Sequence, residues 1–469
     1  MSSKGSLVRR KSQLAANFAV WPVRASLLAV IMLAFALVLG GGGTPAPRAE
    51  LAVECAAALI AALWVFSGSR AATFQRIPRT AWLLVLLIAA IPILQLIPLP
   101  PVLWQALPNR AIEREALGLV GLEATWRPWS VAPNRTLSAL LSLGPPLLLL
   151  LLTATLDRAA RLRLVATVAL IGLLSIVVGA LQLNADDASP LRFYGLTTPQ
   201  LTGFQANHNS TADLLLIAMI AATVMLRAAV EQHRLPNNRA LVLGIAGGVN
   251  ALFALGVVLT ASRMGIILLP LALLASGWIL RLWLPVSRKV LAGGAVGLAG
   301  LALLGLLLAR DNAVIGAVVA RFDFSGELRP QLWQDGLFVV RQHFPFGVGM
   351  GNFMPALIAD ERLEAVRPFL PNRAHNDFIE LAAEAGLFGL MALAATGWLL
   401  GRAAWSALRG GAQGLAVFAA AALLILALHS LVDYPLRSMS LACLAAVCAG
   451  LLMAPKLSGA DPLAAGDKS

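Results

Sequence analysis

Apolar residues run along this chain in about twelve blocks separated by short polar or basic segments. A helix needs about 20 largely apolar residues to cross a bilayer, so the pattern predicts an all-α integral membrane protein. The blocks lie near 22–42, 50–67, 81–98, 136–155, 162–182, 211–229, 239–259, 264–282, 289–308, 385–401, 413–430 and 438–454. Pro145-Pro146 is expected to kink the fourth. The first follows a basic N-terminus and exceeds the roughly 7–15 residues of a signal-peptide core, so it reads as an uncleaved anchor.

The pattern divides the chain into a basic N-terminus (1–21), nine spans (22–308), a long loop (309–384), three more spans (385–454) and a tail (455–469). The loop is expected to hold short amphipathic helices near Arg329–Gln342 and Asn376–Ala385, with a polar stretch from Asp360 to Arg373 between them. A second long segment, 99–135, is rich in Pro and Trp and is expected to lie against the membrane interface, where Trp is favoured. No internal repeat is visible.

Composition agrees with the pattern: 59% of residues are hydrophobic, 13% are charged, and the mean hydropathy is +0.80. Too little polar surface exists to clothe a soluble enzyme of this size. The net charge of +13 would suggest nucleic acid on a soluble protein. Here the positive-inside rule accounts for it. With the N-terminus inside, 21 of the 36 lysines and arginines fall in short cytoplasmic segments, and both termini are cytoplasmic. The expected partners are membrane lipids and lipid-linked substrates, with no nucleic acid. The three cysteines lack disulfide or zinc spacing.

Ionisable groups gather at the outer ends of the spans, including Glu50, Glu54, Asp213, Arg263, His429 and Asp433. A transporter would instead place its polar groups near the midplane, on broken helices in repeated halves. Phosphate suits arginine, whose fork donates paired hydrogen bonds. Arg263 sits in Ser262-Arg263-Met-Gly265 and Arg329 in Leu328-Arg329-Pro-Gln-Leu-Trp333; the plain alternatives are an interfacial anchor and a solvated loop charge. His375, in Arg373-Ala-His375-Asn376-Asp377, precedes a helix that Asn376 can cap. The helix dipole there disfavours protonation, which suits a general base; a surface histidine is the plain alternative. No metal ligand pair, Asp-x-Asp pair or phosphate loop is present, and Gly347-x-Gly349-x-Gly351 reads as a turn with permissive backbone.

These motifs resemble the O-antigen ligase and polymerase superfamily of membrane glycosyltransferases. The resemblance rests on Arg329 and Trp333, Pro345-Phe346-Gly347-Val-Gly349-x-Gly351-Asn-Phe353, His375-Asn376 and Glu384-x-Gly386, in that order. Weaker matches are Gly203-Phe204 with Asn207-x-Asn209, Ser262-Arg263-x-Gly265, and His429 through Asp433-Tyr434-Pro-Leu-Arg437. The resemblance implies a GT-C-like fold whose long loop between spans nine and ten faces the periplasm at the inner membrane. It implies transfer of a glycan from undecaprenyl pyrophosphate to an acceptor hydroxyl, with inversion and without metal or other cofactor. The acceptor is lipid A–core for a ligase or a second lipid-linked glycan for a polymerase. Arg263 and Arg329 would grip the pyrophosphate and His375 would activate the acceptor. Trp333, Asn376, Asn207, Asn209, Asp433 and Arg437 would line the substrate. A polysaccharide flippase is the more distant alternative.

Overall fold

The structure is a computed structural model that describes residues 25–42, 47–66, 77–186, 189–194, 200–236, 238–281, 316, 327–361, 372–410 and 413–454. Helices dominate it. The described chain runs through α1 (Ala25–Leu39), α2 (Pro47–Phe66), α3 (Arg79–Leu96), α4 (Pro101–Trp104), α5 (Ala111–Gly118), α6 (Pro133–Ser142), α7 (Gly144–Thr155) and α8 (Arg158–Leu183). It continues through α9 (His208–Glu231), α10 (Arg239–Leu259), α11 (Arg263–Arg281), α12 (Arg329–His343), α13 (Phe353–Asp360), α14 (Asp377–Leu408), α15 (Gln413–His429) and α16 (Met439–Met453). Two two-residue strands, β1 (Pro98–Leu99) and β2 (Arg127–Pro128), form an antiparallel pair.

Eight of the described helical stretches are long and apolar enough to cross a membrane. Three shorter apolar helices, α1, α15 and α16, fall where the first, eleventh and twelfth spans are expected. The expected ninth span, 289–308, lies outside the described residues. The fourth span breaks as its prolines predict: α6 and α7 meet at Leu143, with Pro145 and Pro146 opening the second piece.

Helix α9 is the centre of the bundle. Its apolar window is 72% buried, against 22–44% in the other long helices, and a helix apolar all round belongs in the middle of its neighbours. It packs on α8, α10, α11 and α15. Lipid tails are as apolar as leucine, so close packing of small residues has to hold these helices together. At Gly172 on α8 an added Cβ would lie 2.2 Å from Cβ of Ala218 on α9. Asn250 donates to the carbonyl of Ala246 at 2.8 Å and to Thr223 at 3.4 Å, the helix–helix role expected of a central asparagine.

One end of the bundle carries a second, smaller apolar cluster: Val339, Val348, Phe353, Ala356, Leu357, Ala374 and Ala383. It draws on α12, α13, α14 and the glycine-rich turn. The amphipathic helix expected near Asn376–Ala385 is not separate from the tenth span. Both belong to α14, which changes direction at Gly386 (φ 55°, ψ −142°). The turn satisfies the backbone freed there. Val348 donates to the carbonyl of Ala383 at 3.0 Å, Gly349 to that of Glu384 at 2.8 Å, and Leu387 to that of Pro345 at 2.8 Å. Gln95, fully buried at the end of α3, braces both sides: it donates to Glu384 O at 3.0 Å and accepts from Met350 N at 2.8 Å. Gly347, Gly349 and Gly351 all hold positive φ, as a permissive turn requires.

The 99–135 segment is folded against this turn. Trp104 is buried and donates to Thr125 O, Trp129 donates to Gly347 O at 3.2 Å, and Trp126 stays 65% exposed.

Gly386→Ala tests the break. Its Cβ would lie 2.0 Å from the carbonyl oxygen of Pro345, a backbone atom that cannot swing away. Strain at such a position costs on the order of 1–3 kcal/mol before any clash. The variant is expected to unfold at lower temperature in detergent and to accumulate poorly in membranes.

Candidate functional site

Four helix ends meet where the small cluster joins the bundle: the starts of α9, α11 and α14 and the end of α15. His375 stands just before α14. Its backbone holds φ 49°, in the left-handed region that histidine enters more readily than most residues. Asn376 caps the helix, accepting from the backbone N–H of Phe378 at 3.0 Å and Ile379 at 3.1 Å. Its amide also donates to Leu431 O at 2.8 Å, tying the start of α14 to the turn after α15. Trp333 on α12 donates to the carbonyl of His375 at 3.2 Å. Helix α12 comes close enough because Gly336 faces Ile379, where an added Cβ would meet Cγ2 at 2.8 Å.

The histidine ring is paired. His375 Nδ1 lies 3.0 Å from Asp433 Oδ1, and the ring meets Tyr434 edge-on at 4.9 Å. Burial alone would raise the Asp433 carboxyl. The hydrogen bond from His375, and then the nearby His375, His429 and Arg329, outweigh burial and bring its pKa to about 2. An ionised carboxylate only accepts, so Nδ1 carries the hydrogen in this pair. Nε2 is then the ring nitrogen that Asp433 does not engage. This dyad joins residues 58 positions apart, and nothing in the spacing announces it.

Asp433 is held from its other side as well. Asn209 donates to its Oδ2, and Asn207 caps α9 by accepting from Asn209 N at 2.8 Å. One turn deeper, His429 Nδ1 meets Asp213 Oδ1 at 2.7 Å, with both side chains almost fully buried. The two links form a ladder: Asn209 and Asp213 are one turn apart on α9, and His429 lies one turn before Asp433 in the reverse direction. The i, i+4 spacing on both sides is the sequence signal that could have found it.

The two candidate arginines share an acid that sequence reasoning missed. Glu327 pairs with Nη2 of Arg263, lies 3.9 Å from Nε of Arg329, and accepts from the Arg329 backbone N–H at 3.4 Å. Arg263 begins α11 after a turn in which Ala261 holds φ 53°, and Arg329 begins α12. Arg329 is also near enough to Asp433 to help lower its pKa.

Arg437 points elsewhere. Its Nη2 donates to Glu384 at 2.8 Å, and its Nε lies 3.5 Å from Glu380 and 3.7 Å from Asp377. These three acids share one face of α14 at i, i+3 and i+7. Arg373 also donates to Glu380, at 2.7 Å. Burial lowers the Arg437 pKa, but Glu380, Glu384 and Asp377 outweigh it and raise the value. His343 joins a separate group with Asp360 and Asn109.

The site therefore brings together a histidine–carboxylate dyad and two arginines with a shared counter-ion. Residues 248–394 match the family model described as O-antigen ligase, a segment that contains Arg263, Glu327, Arg329, Trp333, His375 and Asn376. Asp433, Asn207, Asn209 and Arg437 lie outside it. No curated protein matches the chain. Over residues 248–394 this multi-pass membrane chain is similar to the O-antigen ligase family, and the motifs in that segment agree with the match.

Proposed function

We propose that the protein is a metal-independent, inverting glycosyltransferase of the bacterial inner membrane. It moves a glycan from undecaprenyl pyrophosphate to a hydroxyl of lipid A–core at the periplasmic face. The lysine and arginine distribution supports this orientation, with both termini in the cytoplasm. The observation that carries the reading is the His375–Asp433 dyad close to Arg329, within and beside the matched segment.

Nε2 of His375 takes the proton of the acceptor hydroxyl as its oxygen bonds the anomeric carbon. The bond from that carbon to the phosphate oxygen breaks, and undecaprenyl pyrophosphate leaves with the electron pair. Attack from the face opposite the leaving group inverts the anomeric centre. Asp433 keeps the ring in the reactive tautomer and steadies the imidazolium. Arg263 and Arg329 offset charge that grows on the leaving phosphate, the service a divalent cation performs elsewhere. Asn209 holds Asp433, while Asn207, Asn376 and Trp333 hold the backbone around the dyad. An acceptor carried on a second lipid-linked glycan uses the same steps and makes the protein a polymerase.

Transfer from purified undecaprenyl-pyrophosphate glycan tests the assignment. Arg329→Ala is expected to lower kcat/KM about 10²–10³-fold. Arg329→Lys should recover little of this, because an ammonium cannot donate the paired bonds. Activity should survive EDTA; loss on chelation that Mg²⁺ restores would sink the metal-free step. Movement of labelled carrier across proteoliposomes without covalent transfer would sink the enzyme reading. Envelope polysaccharide from a deletion strain separates the acceptors: bare core with accumulated polymer means ligase, and single repeats on core mean polymerase.

A further inference from the structure

Glu327 is the acid that the chemistry above leaves without a role. It stands two residues before α12, one-fifth exposed, between guanidinium groups on two different helices. Burial works to raise its carboxyl, but the hydrogen bond from Arg263 and the charges of Arg329 and Arg263 hold it below the usual range. It is therefore an anion at neutral pH. A carboxylate presents two oxygens to a guanidinium edge much as a phosphate does, so the two compete for the same donors.

We propose that Glu327 is an internal counter-ion of the donor site. It occupies the Arg263–Arg329 pair between turnovers, yields it to the carrier's pyrophosphate, and returns to displace undecaprenyl pyrophosphate after transfer. The inference rests on the arginine grip proposed above. Two features of the contact suit this exchange. It is lopsided, close to Arg263 and 3.9 Å from Nε of Arg329, so it does not satisfy both forks. It is also partly exposed, and such pairs are weakly held. A group carrying two or three negative charges outcompetes one carboxylate for two guanidiniums. The single charge is enough to limit repulsion between the arginines while the site is empty.

A bystander or a purely orienting acid behaves differently, which makes the test direct. Full-length protein in detergent micelles would be assayed for donor KM and for inhibition by undecaprenyl pyrophosphate. Glu327→Gln keeps the shape and removes the charge. It is expected to lower donor KM and the inhibition constant together, by about fivefold, the scale of a part-exposed charge pair. Glu327→Ala should shift both in the same direction. In an Arg263→Ala background Glu327→Gln should shift both constants less, because only the looser contact with Arg329 is left to compete. A rise in KM would show that Glu327 orients the arginines, and unchanged constants would show a bystander; either overturns the proposal. Measuring only the monodisperse fraction, with its unfolding temperature, keeps misfolding out of the comparison. Arg263→Ala and Arg329→Ala decide the underlying reading. If they leave undecaprenyl pyrophosphate inhibition unchanged, the arginine grip itself fails. If they weaken it while Glu327→Gln has no effect, only the role of Glu327 fails.

Discussion

Replacing His375 by alanine is expected to reduce glycan transfer about 10²–10⁴-fold, the usual contribution of a positioned acid–base group. Membrane abundance should hold, because the ring is 27% exposed. Asp433→Asn refines the test. The asparagine amide can donate to Nδ1, which moves the ring hydrogen to Nε2 and removes the base. A large loss of kcat with little change in donor KM is expected, and the double variant should be no worse than His375→Ala alone. Additive losses would mean that the two residues act separately and would break the dyad argument. Wild-type activity in His375→Ala would remove the proposed base altogether.

Arg437→Ala is expected to have the largest effect on folding. Glu380 and Glu384 are fully buried, and Arg437 pairs with Glu384 at 2.8 Å. Removing one partner from a buried ionic group costs about 3–5 kcal/mol, because the remaining charges stay in a water-poor site. The variant should accumulate poorly and unfold early in detergent. Adding Glu384→Gln should recover part of the loss, since it removes a stranded charge. A clasp of this kind gives Arg437 a positioning role: it locks the start of α14, and so His375, against the turn after α15. A role in gripping substrate gives a different signature, normal folding with a raised donor KM.

The spans were legible because the membrane imposes a simple demand. Every backbone polar group in lipid must be paired within its own helix, so long apolar runs can only be helices. Eight such helices and three shorter ones stand where the pattern places them. The Pro145-Pro146 break was equally legible, because proline acts locally. Gly386 was less so. A lone glycine before an apolar run does not say whether one helix bends or two helices meet. That depends on Val348, Gly349 and Pro345, which supply the missing hydrogen bonds from 35 or more residues away.

The site divides along the same line. Arg263, Arg329 and His375 stood out as single residues in a local context, and the resemblance gave them roles. Their partners did not stand out. Asp433 stood out as a candidate substrate contact and not as the partner of His375, because that pairing needs the start of α14 beside the end of α15. Glu327 was not singled out in the sequence, and it is α11 and α12 that place a guanidinium on each side of it.

By itself the sequence determined that this chain is a helical membrane protein and which side chains could carry phosphate and proton chemistry. Those conclusions rest on properties local to each segment: apolar length, charge and residue type. Which acid faces which base was decided only by tertiary structure. An ion pair depends on a few ångströms between residues tens or hundreds of positions apart, and only the packing of helices around α9 sets those distances.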